Sequence, residues 1–571
     1  MATTRNSAAL RAGRRLTPRA LRRACAVRPG LLALALASAW SSDACAQRAG
    51  ATDDAPAATF GATPARASAA APGSSASAAE TAPPAPVGPP PLLRATIALS
   101  VVGTDNALLT ETDRRSDAIA DARIEFPLLR RGPRVTLQGN LGADAIGYAN
   151  HTAPDRILPR GELSLNAILA ERALFLDASV GASRSRNDVF APSLGENSTA
   201  NTLSTITYRV SPYFAHDFSP TLSAYARSDT TVTRNSSADP GTISPPGSTI
   251  QSERVRVERK PVPVGLAIEV SRDATTYEGQ SQEALVEDEA RAILSTSVDP
   301  ELLFGVSGGR DHTAYGGQAF DETTYGLVAQ WRPSPRLLFD ADAEHRSFGT
   351  VWNVHFRDRM PLAVIDVSYR RAAEAAPASI SLPTVDTDPG ALLDTLLSTR
   401  VPDQGSRDSA VDQVEETRAL PDTFGQAVSI FSGTPQLVQT ARGDLLLNGA
   451  RNTVLGSLYY AKAQALPGLA VTAQSLDTRQ WGGSLGWYHR LTPLMSAAAE
   501  LAYVDVQGLD ANVGESSRQV LATLSLSRRL GPQAAFSCGV RRMSARVTEA
   551  SLPADTRIDE NEVFAGVRMQ Y

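Results

Sequence analysis

The last ten residues read Glu562-Val563-Phe564-Ala565-Gly566-Val567-Arg568-Met569-Gln570-Tyr571. Side chains alternate across a strand, so Val563, Ala565, Val567, Met569 and Tyr571 share one face. Glu562, Gly566, Arg568 and Gln570 share the other. One face suits lipid and the other suits a watery lumen, which is the dyad pattern of a transmembrane barrel strand. A closing strand that ends on an aromatic also fits the signal that bacterial barrel-assembly machinery takes from its clients. Those five apolar positions are the expected assembly signal, and Arg568 is expected to face the lumen.

Working back along the chain, the same alternation recurs from Leu92 onward with almost no sustained helical period. Val135, Leu137, Gly139, Leu141, Ala143 and Ala145 oppose Gln138, Asn140 and Asp144. Val255 and Val257 alternate with Arg254, Arg256 and Glu258, and Phe339, Ala341 and Ala343 alternate with Asp340, Asp342 and Glu344. These six charged residues are expected to line the lumen. Many segments exceed about nine residues, enough to cross a bilayer at a tilt. A β-sandwich would alternate over shorter strands.

Short, mostly proline-bearing turns appear at ten places, from Arg131-Gly132-Pro133 through Pro467-Gly468 and Thr492-Pro493 to Gly531-Pro532. Longer polar connections fall between them. That rhythm predicts an all-β, transmembrane antiparallel β-barrel of about 22 strands, with 16 to 22 allowed. Trp331 and the pair Trp487-Tyr488 stand just before short turns, where interfacial aromatic rings are favoured. Residues 371–449 break the rhythm as a long insertion with Leu392, Leu393, Leu396 and Leu397 at helical spacing. Such a loop folds inward as a constriction, stands outside as a binding surface, or is a floppy surface excursion.

Residues 1–42 hold eight arginines and no acid, then an apolar run from Leu31 to Trp40 and the small-residue site Ala44-Cys45-Ala46. This layout predicts a signal peptide over residues 1–46, with an Arg-rich transit peptide as the competitor. Residues 47–91 are mostly Ala, Pro, Ser, Thr and Gly, too poor in bulky apolar groups to offset chain entropy, and are expected to form a disordered periplasmic linker. The barrel domain is expected over residues 92–571. Acids outnumber bases, 60 to 55, which argues against a nucleic-acid partner.

No catalytic, cofactor or metal site is expected. The two G-x-S-x-G matches, Gly305 to Gly309 and Gly482 to Gly486, lack the strand–turn–helix setting of a nucleophile elbow. The six histidines show no ligand spacing. An outer-membrane lipase or protease is the enzymatic alternative, its site assembled from separate strands.

From about Thr96 to Tyr571 the chain resembles the outer-membrane β-barrels associated with PEP-CTERM/exosortase protein-sorting systems. The residues that carry this are Ser211-Pro212-Tyr213, Trp331-Arg332-Pro333-Ser334-Pro335-Arg336, the Leu-rich connection ending at Gly449 to Thr453, and Arg528-Arg529. The resemblance implies a Gram-negative outer-membrane location and a link to exopolysaccharide production. The expected role is a porin-like conduit or envelope component serving exopolysaccharide or sorted proteins. The second class is a non-transporting docking barrel. Expected partners are membrane lipid, the assembly machinery and exopolysaccharide or envelope proteins.

Overall fold

The computed structural model describes residues 95–186, 188–192, 202–237, 246–279, 283–374, 380–381, 388–421, 424, 429–430, 435–467, 477–548 and 556–571. The expected signal peptide and linker lie outside them. Eight strands come first: β1 (Thr96–Thr104), β2 (Asp117–Arg131), β3 (Val135–Tyr148), β4 (Arg156–Ala170), β5 (Leu174–Arg186), β6 (Thr202–Ser219), β7 (Leu222–Ser237) and β8 (Ser248–Arg259). Next are β9 (Val264–Tyr277), β10 (Glu283–Asp299), β11 (Leu302–Tyr315), β12 (Gln318–Ser334), β13 (Leu337–Arg346), β14 (Gly349–Arg359) and β15 (Ala363–Glu374). Two-residue strands β16 (Ile380–Ser381) and β17 (Ser429–Ile430) pair with each other and bracket helices α1 (Pro389–Leu397) and α2 (Gln404–Arg418). The wall resumes with β18 (Gln436–Asn448), β19 (Asn452–Ala465), β20 (Thr478–Thr492), β21 (Met495–Gly508), β22 (Ser516–Arg529), β23 (Ala534–Thr548) and β24 (Thr556–Gln570).

All wall strands pair antiparallel with their neighbours, and β1 pairs with β24 from Thr96↔Gln570 to Thr104↔Glu562. That last pairing closes a 22-stranded barrel. The backbone of Tyr571 extends the seam: its N–H donates to the Ala95 carbonyl at 2.8 Å, and the Ala95 N–H donates back at 3.2 Å. Closure leaves no unpaired edge, which hydrocarbon demands of any spanning sheet. The outer side carries the apolar residues: Leu99, Val255, Val257, Leu266, Ile268, Val306, Leu327, Leu485 and Val563 are all exposed.

Two boundaries differ from expectation. Gln436–Asn448 is wall strand β18, so the insertion runs only between Glu374 and Gln436, not over 371–449. The expected short turn at Pro467-Gly468 falls instead in the long connection between β19 and β20, and the short turn on that hairpin pair lies between Asn448 and Asn452. Both shifts have one cause. Leu445-Leu446-Leu447 interrupts the period-two pattern of β18, because Leu446, 0% exposed, faces an apolar body inside the barrel rather than water.

Candidate functional site: an inward-folded helical pair and a charged wall

The connection after β15 leaves from the long-loop end, yet its helices sit at the short-turn end. Local sequence makes the helices. Asp388 caps α1, accepting from the Ala391 N–H at 3.1 Å, and Pro389 opens it with its φ already helical. Asp403 caps α2, accepting from the Ser406 N–H at 2.8 Å, and these bonds hold its carboxyl below the usual range. Ala419 ends α2 in the left-handed region at φ 52°. Arg407 pairs with Asp394 and ties the two helices together.

Their apolar faces supply Leu392, Leu393, Leu396 and Val411, followed by Leu420 and Phe424. These pack on Val364 of β15, Leu446 of β18, Leu455 of β19 and Tyr488 of β20, all of them 0% exposed. Tyr488 is therefore an inner-face residue, not the interfacial aromatic expected from sequence. Its hydroxyl donates to Glu500 at 2.6 Å, while its neighbour Trp487 is exposed on the outer side. Gly486 makes room for the plug: a Cβ there would meet the Phe424 ring at 2.7 Å. The second G-x-S-x-G match thus serves packing, and both matches lie within strands, β11 and β20.

Polar contacts fix this plug to the rim of short turns. Arg359 of β14 donates to the Thr395 carbonyl at 3.2 Å and also meets Ser398 and the Pro335 carbonyl. Arg400 donates to the Pro361 carbonyl. Arg418 donates to the Gly449 carbonyl at 2.6 Å and to Thr453. Ser496 donates to the Thr417 carbonyl at 3.2 Å, and Arg529 pairs with Glu416 at 3.0 Å. Burial, reinforced by Arg490, holds the Arg418 guanidinium below its ordinary value. Burial and the neighbouring Asp408 and Glu416 push the Asp412 carboxyl up. The leucine spacing signalled helices, but nothing local marked the turns they would reach.

Inner-side residues elsewhere form an arginine–carboxylate lattice. The structure brings Arg254, Arg256 and Glu258 of β8 beside Glu269 of β9: Arg256 meets Glu269 at 3.1 Å and Glu258 at 3.0 Å, and Arg254 meets Glu269 at 3.8 Å. Arg291 of β10 bridges Glu269 and Glu344 of β13, each at 2.9 Å. Arg346 reaches Glu287 at 3.2 Å, and also Glu289 and Glu344. Asp340 accepts from Gln330 at 2.7 Å, and Asp342 from Asn353 at 3.2 Å. Glu269, Arg291 and Arg346, which sequence inspection had not singled out, carry the lattice. Their signal was parity with Glu344 across strands, visible only once register is known.

At the seam, Val563 and Tyr571 are exposed on the outer side. Arg568 shares the side of Glu560 and Glu562. Glu562 pairs with Arg541 at 3.1 Å, and Arg541 also lies 5.7 Å over the Phe564 ring.

No family model and no curated protein matches the chain. Solved structures similar to it include the ferric-catecholate import receptor Fiu of E. coli K12, at 9% identity and TM-score 0.43, covering 83% of this chain and 81% of that one. The FrpB iron transporter of Neisseria meningitidis is similar at 10% identity and TM-score 0.43, covering 85% and 82%. The siderophore receptor PirA of Acinetobacter baumannii is similar at 8% identity and TM-score 0.41, covering 84% and 80%. The expectation of an exopolysaccharide conduit, or of a docking barrel that transports nothing, is corrected here: the solved barrels that resemble the chain are named for siderophore and iron uptake. Their names are those of receptors and a transporter. The likeness is one of fold, and the chain is a closed 22-stranded β-barrel of the outer membrane.

Proposed function

We propose that the chain is a gated outer-membrane transporter for a small hydrophilic solute. Its lumen is closed at the periplasmic, short-turn end by its own helical pair, and solute passes when that pair moves. The carrying observation is the seating of α1 and α2 against Val364, Leu446, Leu455 and Tyr488, with rim contacts from Arg359, Arg400, Arg418 and Arg529. Barrels of this strand number leave a lumen wide enough to need filling, and transporters of this size carry a plug. The plug here comes from an internal loop, so it stays covalently part of the wall.

The test is planar-bilayer conductance of the purified full chain. Rare, brief openings in the wild type that become frequent in Arg418→Ala support the gate. An open level as large and constant as that of an unobstructed pore, in both proteins, would sink it.

Two narrower expectations stand as proposals beside it. Recognition of β24 by the assembly machinery is supported by its outer-side Val563 and Tyr571. Kinship with PEP-CTERM-associated barrels is supported by the sequence patterns around Ser211 and Trp331, and is tested by whether homologues are encoded beside an exosortase.

A further inference from the structure

We propose that the outer face of β22, β23 and β24, near their long-loop ends, binds the phosphorylated headgroup of an outer-leaflet lipid. Arg518, Arg542, Arg546 and Arg557 form its cradle. The site lies on the outside of the wall and does not depend on the gate.

Register places these side chains. Arg518 of β22 is directly opposite Arg546 of β23, and Arg546 is directly opposite Arg557 of β24. All three share the side of Val520, Val540 and Val563, which are exposed on the outer wall. Arg542, on the same side, follows Val540 by two residues, about 7 Å of strand. In the long-loop halves of β20 to β24 this side carries five arginines, Arg479 being the fifth, against two aspartates. Asp505 meets Arg518 at 2.9 Å, and Asp559 is shared between Arg557 at 3.1 Å and the loop residue Arg114 at 3.7 Å. Among the described residues Arg542 and Arg546, both exposed, make no ion pair. The other flank of the barrel is built differently. There Arg272 is directly opposite Asp288 and meets it at 3.0 Å, and His312 is directly opposite Asp321 and meets it at 2.8 Å.

Two further observations point to a headgroup layer outside these strands. Their inner side is apolar at the same level, where Met543, Ala545, Val547 and Ile558 bury Leu109 of the β1–β2 connection. Polarity is thus reversed against the rest of the wall, with charge outside and grease inside. Second, Trp481 is exposed on the outer side, its ring 5.0 Å from that of Tyr503, and it lies opposite Asp505 in the cross-strand row that continues to Arg518. Such rings mark the boundary between hydrocarbon and headgroups. Like charges directly opposite one another are destabilising, and an anion shared between them removes that cost. Phosphate suits the role, because guanidinium forks match its oxygens in pairs. The row from Arg518 to Arg557 spans two strand spacings, about 10 Å, which fits a headgroup carrying two phosphates. Val520, Val540 and Val563 leave an apolar surface beside it for the acyl chains.

The experiment is native mass spectrometry of the purified full chain in detergent, titrated with diphosphoryl lipid A, with its phosphate-free form, and with sodium phosphate as competitor. Saturable retention of the diphosphoryl form is expected, with the phosphate-free form held about tenfold more weakly or worse. The double variant Arg542→Gln, Arg546→Gln should weaken retention of the diphosphoryl form by about tenfold or more, the loss of one charged hydrogen bond. Arg272→Gln, which removes an outer arginine already paired with Asp288, should leave it unchanged. If the double variant gives no heat-modifiable folded band, Arg546→Gln alone decides, with a smaller loss in the same direction. Equal retention of the two lipid forms, or retention that the Arg542 and Arg546 changes leave intact, overturns the site. So does an equal loss in Arg272→Gln, which would show diffuse attraction to the whole barrel. Sodium phosphate that displaces the lipid at matching concentration would make a free anion the ligand and overturn the lipid assignment. None of these outcomes bears on the gate.

Discussion

Arg418, the last residue of α2, donates to the carbonyl oxygen of Gly449 in the turn between β18 and β19, at 2.6 Å. One guanidinium thereby joins the end of the plug to the rim, and Thr453 takes a second bond. A hydrogen bond from a charged donor contributes about 1.5–3 kcal/mol. Arg418→Ala should shift the closed-to-open equilibrium by roughly ten- to a hundredfold. Single-channel open probability reads this directly. Arg418→Lys should recover part of the effect, since it keeps charge but not the fork.

The apolar seat should matter more than any single latch. Leu393 is 0% exposed, and Leu→Ala at such a site costs about 2–5 kcal/mol. Leu393→Ala should expose α1 and α2 to protease while the wall stays resistant. Gly486→Val should do the same by pushing Phe424 out of its place. Proteolytic fragments mapped by mass spectrometry would separate plug release from barrel collapse, which would cut the wall strands too.

Helix ends give smaller effects of opposite sign. Asp388→Ala removes the α1 cap and should loosen the plug by about 1 kcal/mol. Ala419→Gly relieves a left-handed residue and should tighten it by about 0.5–1 kcal/mol. Amide exchange of α1 and α2 in the folded barrel should speed up in the first variant and slow in the second.

Acidity should act in two phases. The Asp412 carboxyl is raised above its ordinary 3.8 in the docked plug, by burial first and then by Asp408 and Glu416. Protonation therefore favours docking, and this contribution appears as pH falls through the raised value and is lost as pH rises again. Asp403 is lowered by its bonds from Ser406, so its contribution is present above the ordinary value and lost as pH falls through the depressed one. Open probability should fall on mild acidification and rise in strong acid. Asp412→Asn should abolish the first phase only.

The seam strand predicts a contrast between neighbours. Val567→Arg places a guanidinium against lipid three residues inside the short-turn end of β24, where the cost lies below the roughly 2–4 kcal/mol of mid-membrane. Arg568→Gln, on the opposite face, should be tolerated. The heat-modifiable fraction in membranes measures both, and equal damage would show the faces to be misassigned.

The wall was legible in the sequence because lipid and lumen impose opposite demands on alternate residues. Where that opposition fails, legibility fails. Leu445-Leu446-Leu447 hid β18, since an apolar plug inside the barrel makes both faces of the strand greasy. Tyr488 looked interfacial for the same reason. The helices showed in the spacing of Leu392, Leu393, Leu396 and Leu397, but their docking depends on turns far apart in sequence. The arginine–carboxylate lattice was half visible: Arg254, Arg256, Glu258 and Glu344 stood out by alternation, whereas Arg291 needs the strand register to meet Glu269 and Glu344.

The route into the plug leaves the wall at Glu374, and the route out rejoins it at Gln436, both at the extracellular rim. The stopper is thus moored twice from upstream. Between the wall and the helices the two lines are clipped to each other where Ile380–Ser381 pairs with Ser429–Ile430. Under the proposed gating, such a mooring keeps the stopper captive: it can leave its seat without leaving the barrel.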